Sequence, residues 1–254
     1  MIRSSFLFLD GIGEKKEKAL WALGIKSWTQ FTNSEKILGI SPHRKYYYDR
    51  KIKEAQSALY NFDSKYFINK LNSVESWRLY NFFKEDAVFL DIEASGVESD
   101  SFITTIGMFD GIDTKTMIYG INLDLPLLKK ILSNYKLIVT FNGSTFDLPM
   151  LRKKFPEILP NIPHWDLRHA CARVGLKGGL KQIEKELGIK RTNNIVERMY
   201  GGDPITLWRM FRGSGDEYYL KLLIEYNEED CINLKSIANK VYDKLVEQSF
   251  NTTL

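Results

Sequence analysis

The chain has 254 residues, of which 44% are hydrophobic and 27% charged, with a net charge of +4. This composition is ordinary for a soluble globular protein with its own core, and no segment approaches the roughly 20 apolar residues of a membrane helix. Cys171 and Cys231 lack the close spacing of a zinc or iron–sulfur site, and the short apolar run that ends at Asp10 is no signal peptide. We therefore expect a cytoplasmic protein that does not bind membranes.

The charge is distributed unevenly along the chain. Of the 36 basic and 32 acidic residues, 15 and 9 lie in residues 1–85, so this part carries +6 and the remainder −2. A basic front part suits a polyanionic partner, whereas the alternative is an ordinary basic surface.

A glycine turn followed by a short helix stands near the start of the chain. Gly11 and Gly13 flank an isoleucine, Lys15 and Lys16 follow at the start of the predicted helix, and Gly24 ends it. This stretch resembles a helix-hairpin-helix element, and the resemblance implies that it binds a nucleic-acid backbone through those four residues (Gly11, Gly13, Lys15 and Lys16). Residues 38–42 are a second, weaker hairpin candidate, and because they lack the second glycine the sequence does not indicate a tandem hairpin pair. The alternative is a packing helix with a glycine turn.

Helical periodicity continues from residue 50 to about 83 and is broken once near residues 61–64. We therefore predict a small helical domain over residues 1–84. A second domain is predicted over residues 85–254, joined directly to the first.

The rest of the chain alternates apolar runs with helical stretches. Strands are predicted near residues 87–93, 102–109, 116–120 and 137–141, the second and third joined as a hairpin, and a helix at 124–133. Past residue 163 the pattern is helical and finishes with an amphipathic helix from about 228 to 247. This order predicts an α/β fold with a mixed sheet flanked by helices, as in the ribonuclease H-like fold.

Two carboxylates end the first of these strands. Because side chains two apart on a strand share a face, Asp91 and Glu93 are expected to lie side by side. Such a pair is costly unless a cation sits between its members, and a divalent metal is the usual solution. The alternative is that both side chains extend into water.

Three further residues extend this pattern. Asp147 follows the fourth strand, and Asp230 follows Tyr226 by one helical turn. Taken singly, Asp147 suits a helix N-cap, Asp230 an exposed acid and Tyr226 a half-buried packing residue. Asp166 is predicted to be a cap rather than a ligand.

In this order the acids resemble the motifs of the DEDD superfamily of 3′–5′ exonucleases. The motifs there are a hydrophobic residue before D-x-E, N-x-x-x-(F/Y)-D, and an Asp preceded by Tyr or His. Glu225 stands at the His position and Tyr226 at the Tyr position, so the chain resembles the Tyr type. The wording of residues 141–151, 176–189 and 226–234 is similar to the YprB-like group of ribonuclease H-like proteins, which carry a hairpin-bearing front part.

The resemblance implies a role for each residue around two divalent ions, Mg²⁺ or Mn²⁺. Asp91 would bridge both ions, Glu93 and Asp230 would complete the first site, and Asp147 would hold the second. Tyr226 would orient the attacking water, because a phenol with a pKa of about 10 is a poor base at neutral pH.

The function implied is 3′–5′ exonucleolytic hydrolysis of single-stranded DNA. The alternatives are a 3′–5′ exoribonuclease and an inactive nucleic-acid-binding protein of ribonuclease H-like fold.

Overall fold

The computed structural model describes residues 1–96, 100–191 and 203–251. The front part is helical, with 3-10 turns at Ser64–Phe67 and Ser73–Leu79 between its helices. Its α-helices are α1 Glu14–Ala22, α2 Trp28–Asn33, α3 Pro42–Tyr60 and α4 Tyr80–Phe83.

The ends of these helices follow from local chemistry. Gly24 takes a positive φ of 83° after α1, and the Ile25 amide donates to the Leu20 carbonyl, which satisfies an end carbonyl of the helix. Ser41 caps α3 by accepting a hydrogen bond from the Arg44 amide. The second hairpin candidate, at residues 38–42, is a turn that leads directly into α3, with the Ile40 amide donating to the Ile37 carbonyl.

A five-stranded mixed sheet follows. Its strands are β1 Ala87–Ala94, β2 Ile103–Phe109, β3 Thr114–Ile118, β4 Leu137–Thr140 and β5 His164–Asp166. They lie in the spatial order β3-β2-β1-β4-β5. The strands β1, β2 and β3 pair antiparallel, whereas β4 runs parallel to β1 and β5 parallel to β4. The accompanying helices are α5 Leu125–Leu132, α6 Asp147–Lys154, α7 Leu167–Arg173, α8 Leu180–Glu186, α9 Pro204–Ser214 and α10 Glu217–Asn251. The predicted mixed sheet flanked by helices, with helices before it, is confirmed.

Two predicted details are wrong. The sequence pattern placed only helix beyond residue 163, yet His164–Asp166 forms β5, which has three residues and is too short to show periodicity. The last helix was predicted from about residue 228, but α10 begins at Glu217. The acidic run 228–230 imitated a helix start although it lies inside α10.

The alternation of β1 divides the sheet between two apolar layers. Ala87 and Phe89 face a core that includes Leu234 of α10, whereas Val88 and Leu90 face the core formed with α5 and α6. Since Asp91 and Glu93 continue the first of these series, the sheet aims both carboxylates at the side covered by α10.

The helical front part packs directly on the sheet part. Its apolar residues belong to the same core as α10, and a chain of ion pairs continues across the junction. Arg78 pairs with Glu17 of α1 and with Glu75, which in turn pairs with Arg173 of α7. The pair that crosses the junction joins the buried Glu75 to the exposed Arg173, so the shared apolar core, more than buried charge, holds the two parts together. The domain boundary at residue 84 stays a prediction.

The last helix lies unusually close to β2. A Cβ atom built on Gly107 would stand 2.0 Å from Asn227 Oδ1 and 2.8 Å from Cys231 Sγ. Gly107 is also the register partner of Asp91. The glycine therefore lets α10 approach the strand that carries the carboxylates.

Replacing Gly107 with Ala is expected to destabilise the fold by about 3 kcal/mol, because the added methyl overpacks a buried contact. Urea unfolding followed by circular dichroism measures the change. Gly213→Ala is the matched control, since open space surrounds Gly213 in α9; equal midpoints for the two variants would contradict the close approach of α10.

Candidate metal centre

The end of β1 and the middle of α10 bring three carboxylates together. One carboxylate oxygen from each of Asp91, Glu93 and Asp230 lies within 4.8 Å of the other two. Asp230 is 5% exposed, and the two strand residues keep partial access to solvent. The structure therefore unites three of the four predicted acids in one cluster, which we call the acidic cluster.

Asn227 fixes the strand side of this cluster to the helix. Its Nδ2 donates to Asp91 Oδ2 over 2.8 Å, and the asparagine is fully buried against Gly107. This contact holds one carboxylate oxygen of Asp91 in place. Sequence reasoning missed Asn227, and its only signal was the glycine inside β2, which marks a close approach without naming the partner.

Asp147 lies beside the end of β1 that carries the acidic cluster, in the segment that follows β4. It opens α6, and its Oδ1 accepts a hydrogen bond of 3.0 Å from the Ile92 amide. The Ile92 amide lies beyond the residues of β1 that pair with β4, so the Asp147 carboxylate, rather than a carbonyl of β4, accepts its hydrogen bond. The N-cap position of α6 belongs to Phe146.

Asp166 acts as the predicted cap. It caps α7 by accepting a hydrogen bond from the Arg168 amide, and it also accepts hydrogen bonds from the amides of Asn142 and Ser144. Burial raises the pKa of its carboxyl, but hydrogen bonds from the Ser144 hydroxyl and from these amides outweigh burial, so the pKa is lowered overall. This carboxylate therefore shapes the loop that leads to Asp147.

Burial raises the pKa of every acid at the centre. Burial is the largest cause throughout, and for Asp91 and Glu93 the charges of the neighbouring acids raise the pKa further. The pKa of Asp147 rises to about 7, and that of Asp230 to about 6, where Arg191 opposes the rise. A bound cation would relieve this cost, and clustered carboxylate oxygens are the donors that Mg²⁺ and Mn²⁺ prefer. The donor set thus fits a divalent metal.

Tyr226 lies one turn before Asp230 on α10. It is half-buried, and the charges of Lys181 and Arg191 stand 5.2 and 5.5 Å from its ring centroid. Burial raises the pKa of its hydroxyl, and the nearby carboxylates raise it further. The phenol is therefore protonated at neutral pH and can donate a hydrogen bond.

Two charged residues at this centre were missed by sequence reasoning. Arg191 donates to Asp230 and to Glu184 of α8. Glu184 and Arg191 lie in an ordinary charged stretch that follows the glycines near the start of α8. Nothing in that stretch indicated that they contact an acid on α10.

The predicted nucleic-acid-binding residues lie in the helical part, before and at the start of α1. Gly11 has a φ of 75°, Lys15 and Lys16 are exposed, and Lys16 donates to the Gly11 carbonyl over 2.9 Å. Gly13 occupies the N-cap position of α1. Their role stays a prediction.

The turn before α1 is braced by α3. Tyr48 and Arg44 both donate to the Asp10 carbonyl, and Tyr47 donates to its carboxylate. The hairpin is therefore held in a defined shape.

Comparison with known proteins agrees with this fold. Residues 88–242 match the ribonuclease H superfamily, and since the match covers more than half of the sequence, the chain belongs to that superfamily. Proteins of this class are generally nucleases, and the fold usually employs divalent metal ions.

A relative in Bacillus subtilis (strain 168), the uncharacterized protein YprB, is 30% identical over 124 residues. The match covers 44% of this chain and 29% of YprB, so the chain spans less than a third of that relative. No solved structure matches the chain significantly. Among the described residues, no helix has both the length and the apolarity needed to cross a membrane.

Asp147→Asn is expected to stabilise the metal-free protein, and the gain should grow between about pH 4 and pH 7. A carboxyl whose folded pKa is raised binds more protons when folded than when unfolded, so its contribution to stability falls as pH rises through that window. Asn keeps the acceptor for the Ile92 amide.

Thermal unfolding of both proteins in EDTA at several pH values measures this difference. Comparing the two proteins at each pH cancels the contributions of titrating groups that do not interact with Asp147, and relief of the repulsion on Asp91 and Glu93 acts in the same direction as the loss of Asp147 itself. A gap in melting temperature that is constant with pH would contradict the raised pKa.

Proposed function

We propose that this protein is a metal-dependent 3′–5′ exonuclease that hydrolyses the phosphodiester bonds of single-stranded DNA. The observation that carries the proposal is the acidic cluster, three carboxylates with oxygens within 4.8 Å of one another. Membership in the ribonuclease H superfamily, whose proteins are generally nucleases, adds support.

Each side chain has a task that its position suits. Asp91 is proposed to bridge two metal ions, because it neighbours Glu93, Asp147 and Asp230 at once. Glu93 and Asp230 are proposed to complete the first metal site, and Asp147 to hold the second. Two divalent ions, when bound, would stabilise the charge on the attacking and leaving oxygens.

Tyr226 is proposed to aim the attacking water by donating or accepting a hydrogen bond. Its raised pKa argues against a role as general base, since the phenolate is scarce at neutral pH. Asn227 is a positioning residue for Asp91, since it holds Oδ2 by a hydrogen bond of 2.8 Å.

The helical front part is proposed to grip the nucleic-acid backbone. The exposed Lys15 and Lys16, beside a hairpin braced by α3, offer cations and free amides for phosphate. This proposal rests on the resemblance to a helix-hairpin-helix element together with the excess of basic residues before residue 86.

Asp91→Asn is expected to lower cleavage by at least about 100-fold, because the carboxylate proposed to bridge both ions is lost, while binding of the strand persists. A 5′-labelled single strand, DNA and RNA in separate reactions, is incubated with Mg²⁺ or Mn²⁺ and the products are separated by length. A ladder that shortens from the 3′ end supports the exonuclease, and faster shortening of one strand identifies the substrate.

Glu228→Gln serves as the matched control, since Glu228 lies on the same helix but bonds to Thr116. Binding by the wild type without cleavage of either strand would favour an inactive nucleic-acid-binding protein. Cleavage of a circular single strand would indicate an endonuclease instead.

Changing Lys15 and Lys16 together to Ala should weaken strand binding and flatten its salt dependence. The slope of log K against log salt is negative, and each lost phosphate contact should reduce its magnitude by about 0.7 on single strands. Fluorescence anisotropy with a labelled strand at several salt concentrations measures both effects. The exposed pair Lys129 and Lys130 on α5 is the control, and equal slopes for the two double variants would remove the hairpin from the proposed interface.

A further inference from the structure

A buried arginine already occupies one oxygen of the acidic cluster. Arg191 Nη2 donates to Asp230 Oδ1, and Nε and Nη2 donate to the two oxygens of Glu184 at 2.7 and 2.9 Å. The side chains of Arg191, Glu184 and Asp230 are 8%, 3% and 7% exposed. The guanidinium is thus shared between two buried carboxylates, only one of which belongs to the acidic cluster.

Glu184 is itself anchored to the same helix as Asp230. Asn233 Nδ2 on α10 donates to Glu184 Oε1 over 2.9 Å. The arginine is therefore attached by two hydrogen bonds to an anchored partner and by a further one to Asp230. It can leave Asp230 and still keep a buried counter-charge, which removes the cost of a lone buried cation.

A guanidinium and a divalent ion would compete for the charge of Asp230. Both are drawn to the same carboxylate, and the two cations repel each other at close range in a poorly solvated site. We propose that Arg191 is an internal counter-cation of the metal centre, which holds Asp230 while the centre is metal-free and yields it to the metal. The inference rests on the metal centre of the proposed function and adds a residue that sets its affinity.

This arrangement predicts opposite effects for the two partners of the ion pair. Arg191→Gln removes the competing cation and should tighten Mn²⁺ binding by about tenfold. Glu184→Gln removes the alternative partner of Arg191, strengthens its hold on Asp230 and should weaken Mn²⁺ binding several-fold. Titration of the full chain with Mn²⁺, followed by calorimetry and by the electron paramagnetic resonance of free Mn²⁺, measures both without any cleavage assay.

Thermal unfolding provides a second readout of the same competition. The metal-free Arg191→Gln protein should melt at a lower temperature than the wild type, because Asp230 and Glu184 lose the cation that they share and only the more distant charge of Lys181 remains near the acidic cluster. Saturating Mn²⁺ should raise its melting temperature by more than it raises that of the wild type.

Two control variants separate the charge of Arg191 from its shape and from general surface charge. Arg191→Lys keeps the charge if the glutamine variant fails to fold, and it should bind Mn²⁺ with nearly wild-type affinity. Lys190→Gln removes an exposed neighbouring charge and should change the affinity by less than twofold.

The outcomes distinguish this inference from the proposed function. Weaker Mn²⁺ binding in both the Arg191 and Glu184 variants would make Arg191 a support for Asp230 and overturn the competition. Unchanged affinity in both folded variants would overturn it as well, while the metal centre stands. A folded wild type that binds no Mn²⁺ would overturn the metal centre itself, and the inference with it.

Discussion

The close packing of α10 on β1 and β2 is the contact on which the centre depends. Gly107 leaves room for Asn227, which donates to Asp91, and the next turn of the helix delivers Asp230 to the same place. This packing also desolvates the carboxylates and raises their pKa values. The same contact that builds the centre therefore creates its need for a cation.

The parallel pairing of β1 with β4 supplies the remaining acid. The carboxyl ends of these two strands meet at one edge of the sheet, and the loop after β4 returns there with Asp147. Asp166, at the end of the neighbouring β5, holds that loop through the amides of Asn142 and Ser144. The sheet topology thus brings Asp147 to the end of β1, although the two lie more than fifty positions apart in the chain.

The helical front part packs directly on the sheet part through a shared apolar core. Glu17, Arg78 and Glu75 form a buried chain of ion pairs, and Glu75 also pairs with the exposed Arg173 of α7. This packing would hold the proposed nucleic-acid-binding hairpin near Gly11 at a constant distance from the metal centre. Separating the two parts would expose the shared apolar core and take Arg173 from the buried Glu75, so the two parts are expected to move together.

The sequence by itself determined the parts of the protein that local patterns encode. Strand periodicity placed Asp91 and Glu93 on one face, helical spacing placed Tyr226 one turn before Asp230, and Asp166 was identified as a cap. Only the tertiary structure decided which side chains surround these acids. It brought in Asn227, Glu184 and Arg191, and it added β5 and the early start of α10. These contacts join distant residues, and a pairing across the fold leaves no periodic trace in either segment that takes part in it.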